Sequence, residues 1–171
     1  MKIERITLDE AINLYHCMKK IDQESQYMLY LPDERTFESS NLYQDLAENY
    51  YIGVKQNDNT IVGYLSVHIS EIKKIKHIGY IHTGLMEDFH QQGFATKMFN
   101  ESIQWAMSRG LRRLELTVIT YNSPAINFYE KIGFKIEGIK RESVYMDGLY
   151  HDELYMAKLL EGQMSEVIES I

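Results

Sequence analysis

Seven consecutive residues, His90-Gln91-Gln92-Gly93-Phe94-Ala95-Thr96, carry the first chemical signal in this chain. A glycine between a strand and a helix lets a ligand approach the backbone closely. The first N–H groups of a helix have no acceptor within it, and the helix dipole adds partial positive charge there. Together these features suit an anion, most often a phosphate. The same spacing also fits a plain strand-to-helix turn in which Gly93 only relieves crowding. Neither a Gly-Lys-Ser/Thr triplet nor a three-glycine dinucleotide fingerprint is present. Cys17 is the only cysteine and lacks an ordered Cys-His-Asx pattern, so it reads as a packed helix residue. His77 and His82 point to opposite faces of a regular strand, and no other His/Cys pair has zinc spacing, so no metal site is expected.

These residues need elements to place them. Tyr80–Met86 reads as a strand, Glu87–Phe89 as a turn, and a helix runs from near Gln92 to Arg109 with Gly93 in its first turn. Ala95, Phe99, Ile103 and Ala106 form its buried stripe, and Gly110 is the expected C′ residue. Upstream, a short strand lies within Lys2–Thr7, and Asp9 is placed to cap a helix carrying Ala11, Ile12, Leu14, Tyr15 and Met18. Tyr27–Pro32 breaks that pattern, and Phe37–Asn49 reads as a second helix. Tyr50–Lys55 and Ile61–Ile69 form a hairpin around Asn57-Asp58-Asn59.

Downstream, Arg112–Thr120 alternates Leu114, Leu116 and Val118 against Arg113, Glu115 and Thr117, as a strand does. Ser123-Pro124 starts a short helix, Pro124–Ile132, which stops at Gly133. Phe134–Met146 and Leu149–Lys158 close the chain as a hairpin around a type I′ Asp147-Gly148 turn. The order is β-α-α-β-β-β-α-β-α-β-β, an α+β (mixed α/β) fold. The sheet is expected to be twisted and mostly antiparallel, with helices on both faces. One parallel pair, Tyr80–Met86 with Arg112–Thr120, is joined by a right-handed crossover.

A chain of 171 residues fits one domain, here 1–160, followed by an acidic tail, 161–171. The net charge of −7 argues against a nucleic-acid partner and favours cationic substrates. An anionic cofactor would then rely on local positive charge from Lys97, Arg109, Arg112, Arg113 and Lys131. The N-terminus lacks the apolar run of a signal peptide, and no stretch approaches the roughly 20 apolar residues of a membrane span. A cytoplasmic protein without a membrane partner is expected.

Two further motifs join the first: TVITYNSPAINFYEKIGF, from Thr117 to Phe134, and VYMDGLYHDELYMAKLL, from Val144 to Leu160. With the QQGFAT turn they resemble the GNAT-type N-acetyltransferase superfamily, and the closing hairpin looks most like its polyamine and ribosomal-protein N-terminal branch. The resemblance runs from Ile3 to Leu160 and implies acetyl-CoA as donor and a primary amine as acceptor. It also implies the family's splayed parallel pair, with the pantetheine arm of CoA held beside Gly84, Leu85 and Met86. A backbone N–H there would polarise the thioester carbonyl. The family's pyrophosphate loop falls on His90–Ala95. Gln92, Gly93, Phe94, Ala95 and Thr96 are thus implied to bind the pyrophosphate, and His90 departs from the usual first residue.

Asn122, Phe128 and Lys131 join the implied cofactor-binding set, although an asparagine before a helix is also an ordinary turn residue. Tyr129 matches the tyrosine near the CoA sulfur, and it equally suits a core position beside Ala125 and Ile132. An unperturbed tyrosine, near pKa 10, lies about 1.5 units above a departing thiol. A hydrogen bond to the developing thiolate is therefore expected rather than full proton transfer. Many relatives carry a glutamate base on the strand before the loop; Tyr80 stands at that place here. His82 shares its strand face, and an ordinary imidazole has a suitable pKa for a base. A strand histidine facing solvent is the competing reading. Glu24 is a candidate for binding a cationic amine or a plain solvated charge, and Tyr150 is a candidate edge of the acceptor site. A non-catalytic CoA-binding module and a transferase for larger acyl groups are the alternatives. Self-association through the closing hairpin is compatible with the pattern, although no particular residue argues for it.

Overall fold

The computed structural model describes residues 1–161. Seven strands and five helices follow in the order β1 (Lys2–Arg5), α1 (Ala11–Glu24), α2 (Phe37–Ser40), α3 (Leu42–Glu48), β2 (Tyr50–Lys55), β3 (Ile61–Ile69), β4 (Ile78–Leu85), α4 (Phe94–Ser108), β5 (Arg113–Ile119), α5 (Ser123–Lys131), β6 (Lys135–Met146) and β7 (Leu149–Leu159). The sheet order is β1-β2-β3-β4-β5-β7-β6. It is mostly antiparallel, with β4 and β5 as the parallel pair. This is the expected mixed fold. The tail expectation lies, beyond Glu161, outside the described residues.

The chain divides into two compact units. Among the described residues one contains Met1–His68 and Ile81–Ser102, the other Ile69–Tyr80 and residues 103–161. The division crosses β4 where its ladder with β5 ends, since the parallel register runs from Ile78↔Arg113 to Tyr80↔Glu115.

In the first unit α1 presents Ala11, Leu14, Cys17, Met18 and Ile21 at helical spacing to Leu42 and Leu46 of α3 and to Tyr51, Ile61 and Tyr64. Burying a leucine such as Leu14 in full contributes about 1.5–3 kcal/mol. Thr7, not Asp9, opens the turn before α1: its N–H donates to Glu10 Oε2 at 2.9 Å. Asn41 splits the expected single helix into α2 and α3. Its φ of 47° is left-handed, a conformation asparagine tolerates. Past α1, Arg35 Nε donates to the buried Asp22 at 2.6 Å beneath the Tyr30 ring, which anchors the irregular segment between α1 and α2.

In the second unit β5 buries Leu114, Leu116 and Val118, as its alternation predicts. Phe134, Met156 and Leu160 are buried as well. Asp147 and Gly148 both have positive φ, 53° and 78°, as a type I′ turn demands. At the end of α4 Leu111 N–H donates to Ala106 O and Gly110 N–H to Met107 O, each at 3.0 Å. This is a Schellman motif with Gly110 at C′, φ 76°. The buried positions of α4 are Met98, Phe99, Ser102 and Ala106; Ala95 and Ile103 are half-buried.

Candidate active site

β4 leaves the sheet through Met86, whose N–H donates to Val62 O at 2.9 Å. A 3₁₀ turn, Glu87–Phe89, follows. Gln91 and Gly93 then adopt φ of 57° and 81°, and α4 begins at Phe94. The helix thus starts two residues later than its sequence suggests, because left-handed residues cannot belong to a right-handed helix. The Gly93 carbonyl accepts from Lys97 N–H at 3.1 Å, closing the first turn. The N–H groups of Phe94, Ala95 and Thr96 precede that bond and have no acceptor within the helix.

A Cβ on Gly93 would meet nothing within 4 Å. Crowding is therefore not what requires this glycine. Its backbone conformation is, and the space above it is open to a ligand. The surrounding side chains serve the loop: Gln92 Nε2 donates to Asp88 O at 2.9 Å, and His90 Nε2 lies 2.7 Å from Leu85 O. The His90 ring turns back onto its own strand. Gln92, Gly93 and Thr96 are exposed, and Phe94 and Ala95 are half-buried.

Glu24, at the end of α1, accepts from Glu87 N–H at 2.9 Å and lies 3.3 Å from Lys20 Nζ. This accounts for its charge without an amine. Gly84, Leu85 and Met86 are half-buried. A Cβ on Gly84 would come within 3.1 Å of Ile21 and 3.3 Å of Tyr64, so α1 packs tightly on this end of β4.

His82 is exposed at its surface, yet loss of surrounding water pushes its pKa down to about 4; the neighbouring His68 adds to the shift. It is neutral at neutral pH and a weaker base than an ordinary imidazole. Its ring meets that of His68 edge to face, with centroids 4.9 Å apart. His68 in turn lies 3.7 Å from Asp45 through Nδ1 and 3.0 Å from Ser66 Oγ through Nε2. Tyr51 donates its hydroxyl hydrogen to Asp45, and burial holds it protonated. Asp, His and Ser thus stand in the sequence of a hydrolytic triad. Ser66 is wholly buried, however, so no carbonyl could reach it as a nucleophile. Sequence reasoning missed this cluster. Its one local signal is Ser66-x-His68, two positions on one face of β3.

In the second unit Tyr129 sits half-buried on α5, its ring 5.7 Å from Phe128 and 6.1 Å from Phe134. Burial, with a smaller contribution from Tyr80, pushes its pKa up to about 12. It keeps its proton at neutral pH. The Tyr80 and Thr117 hydroxyls are 2.8 Å apart. Asn122, rather than Ser123, is the N-cap of α5, its Oδ1 accepting from Ala125 N–H at 3.4 Å. Phe128 is half-buried and Lys131 exposed on the same helix. Tyr150 is exposed on β7, where its ring pairs with Tyr145 at 5.0 Å.

Cys17 is 1% exposed and its thiol is pushed up to about 12 by burial, so it is not a nucleophile. Among the described residues no group of three or more His, Cys, Asp or Glu could hold a metal ion, and no helix is long and apolar enough to cross a membrane.

Comparison with known proteins shows the family and the fold. The chain is 29% identical over 114 residues to the uncharacterized N-acetyltransferase YycN of Bacillus subtilis, covering 62% of this chain and 72% of that one. It is 33% identical over 92 residues to the L-amino acid N-acetyltransferase AaaT of Escherichia coli, covering 50% of this chain and 56% of AaaT. An acetyltransferase of the GNAT family from Streptococcus pneumoniae has the same fold, with a TM-score of 0.85, 25% identity, and coverage of 94% and 99% of the two chains. A phosphinothricin acetyltransferase from Sinorhizobium meliloti in complex with AcCoA matches with a TM-score of 0.81 at 12% identity, covering 99% of this chain and 94% of that one. The model of the acetyltransferase (GNAT) family matches residues 9–134, most of the chain. With the glycine-started helix, the single parallel pair and this match together, the chain belongs to the GNAT family of acetyltransferases.

Proposed function

We propose that the protein is an acetyl-CoA-dependent N-acetyltransferase that moves acetyl directly from the thioester to a primary amine. The observation that carries this reading is Gly93, with a left-handed φ and open space, immediately before the N-terminus of α4. Such a backbone suits a diphosphate. The backbone of Gln92–Thr96 holds that group, Gly84, Leu85 and Met86 flank the pantetheine arm, and Asn122, Phe128 and Lys131 complete the cofactor contacts. When bound, acetyl-CoA supplies an activated acyl carbon and a thiolate leaving group. A C–N bond forms, the C–S bond breaks, the amine gives up one proton and the sulfur gains one.

Tyr129 donates a hydrogen bond to the departing sulfur. With its pKa near 12 against about 8.5 for a thiol, it shares its proton rather than surrendering it. His82 accepts the proton of the amine. A group near 4 cannot deprotonate a resting ammonium. It accepts from the nitrogen once C–N bonding has made that nitrogen acidic, so the amine must arrive neutral. Positioning of the two reactants supplies much of the remaining rate.

The net charge of −7 favours a cationic acceptor. A small molecule, a polyamine or a protein N-terminus each fits, as do the L-amino acids named for AaaT. The weak basicity of His82 favours one second reading, a CoA-binding module without turnover. Thiol release from acetyl-CoA against polyamines, aminoglycosides, amino acids and N-terminal peptides separates the two. Release with one class establishes the transferase and its acceptor together. Silence across the panel, with CoA binding confirmed by calorimetry, overturns the transferase reading for these acceptors in favour of the module.

A further inference from the structure

The imidazole pair His68–His82 has a partner arrangement that the acetyl transfer described above does not account for. His82 is exposed on β4, and His68 is set behind it on β3. Asp45 of α3 faces His68 Nδ1 at 3.7 Å. A carboxylate there favours a hydrogen on Nδ1, because a lone pair facing it would be repelled. Nε2 then accepts the hydrogen of Ser66 Oγ at 3.0 Å. Asn49 Nδ2 donates to the same Asp45 carboxylate at 3.1 Å, and Tyr51 donates to its other oxygen. Asp45 is therefore held in place from β2 and from its own helix end.

Two imidazolium rings with centroids 4.9 Å apart repel each other. The pair accordingly carries one proton far more easily than two. We propose that His68, oriented by Asp45, is a positioning residue that takes the first proton of the pair as the pH falls, and so keeps His82 unprotonated, and able to accept the proton released by the amine, to lower pH than it would be alone. The proposal rests on the acetyltransferase reading for its role, but not for its test.

The charges around His82 agree with this assignment. Asp45 is the anion of the group and lies on the His68 side. Burial lowers the pKa of both rings, and Asp45 offsets part of that loss for His68 as its largest opposing influence. For His82 the charge of His68 outweighs that of Asp45. Arg35, from the segment leading into α2, also disfavours a proton on His82, although its own charge is answered by Asp22. Tyr51 from β2 and Ser66 from β3 are neutral.

The experiment is a histidine NMR titration of the intact protein and of His68→Gln and His68→Phe, with kcat/KM against pH for each. His68→Phe keeps a ring against His82, and His68→Gln keeps a polar group; both remove the charge. In the wild type His68 should take up its proton at higher pH than His82. In both variants the His82 midpoint should rise by about one pH unit, the size expected for a neighbouring charge at this range, and the pH at which kcat/KM begins to fall more steeply than protonation of the amine alone requires, the enzyme's acid limb, should rise with it. Wild-type titration with His82 protonating first, or an unmoved His82 midpoint in the variants, overturns the proposal. A uniformly lower kcat/KM with an unmoved acid limb marks a structural role for His68 and overturns it as well. Should one variant fail to fold, the wild-type order and the other variant decide. If no acetyl transfer is seen at all, the NMR midpoints still test the pair, so failure of the enzymatic reading is told apart from failure of this one.

Discussion

The Tyr129 ring stands beside those of Phe128 and Phe134, and its burial, with a smaller electrostatic influence from Tyr80, decides what its hydroxyl can do. Burial raises its pKa, so it stays protonated through the whole physiological range, and in the proposed reaction it is a hydrogen-bond donor to the departing sulfur. Removing a donor aimed at developing charge costs about 10²-fold in rate or more, while ground-state binding depends on other groups. Tyr129→Phe should therefore lower kcat about 10²-fold and leave the CoA dissociation constant within about twofold. Stopped-time assays and calorimetry on the same preparation check this. Equal losses in both would make Tyr129 a packing residue.

In the proposed function, the element that matters most for cofactor binding is the turn from β4 into α4. Two groups hold it from outside: Val62 O accepts from Met86 N–H, and Glu24 accepts from Glu87 N–H. Inside, Gly93 at φ 81° lets the helix begin. Gly93→Ala has room for its methyl group and meets only the left-handed strain, about 1 kcal/mol. It should fold, with CoA affinity reduced about fivefold. Gly93→Asp adds a like charge where the proposed diphosphate site lies and should abolish CoA binding in calorimetry. Retained affinity in Gly93→Asp would remove the diphosphate from this turn. Glu24→Ala releases one anchor of the turn from a distance. Its CoA dissociation constant should rise about threefold to tenfold, in keeping with one lost charge-assisted hydrogen bond. A change in amine KM alone would instead return Glu24 to the acceptor.

At the scale of the whole molecule, the lowered imidazole pKa values make stability depend on pH. The unfolded chain protonates His68 and His82 near 6.5, whereas the folded chain takes up those protons only at lower pH. Their contribution is present above about pH 6.5 and is lost as pH falls toward 4, because the unfolded state then binds more protons. The lowered carboxylates, Asp9, Glu10, Asp58 and Glu137, act below that window. The urea midpoint should fall between pH 7 and pH 5, and His82→Phe should flatten part of that fall. An unchanged slope in His82→Phe would show that His82 titrates normally.

The sequence alone determined the local features. Alternation in Leu114, Leu116 and Val118 marked β5, and Asp147-Gly148 marked the last hairpin, because side-chain period and positive φ are properties of neighbouring residues. The loop with Gly93 and the motif around Tyr129 identified the family for the same reason. The start of α4 and the break at Asn41 are displaced by a few residues from the sequence reading, since glycine and asparagine permit a left-handed φ without requiring it. Only the tertiary structure decided the rest. It gave Glu24 the N–H of Glu87, turned the His90 ring back onto Leu85, and raised Tyr129 while lowering His82. It also brought Asp45, Tyr51, Ser66, His68 and His82 together from one helix and three strands. Strand pairing and helix packing set which distant residues meet and how much water they lose, and no local pattern encodes either.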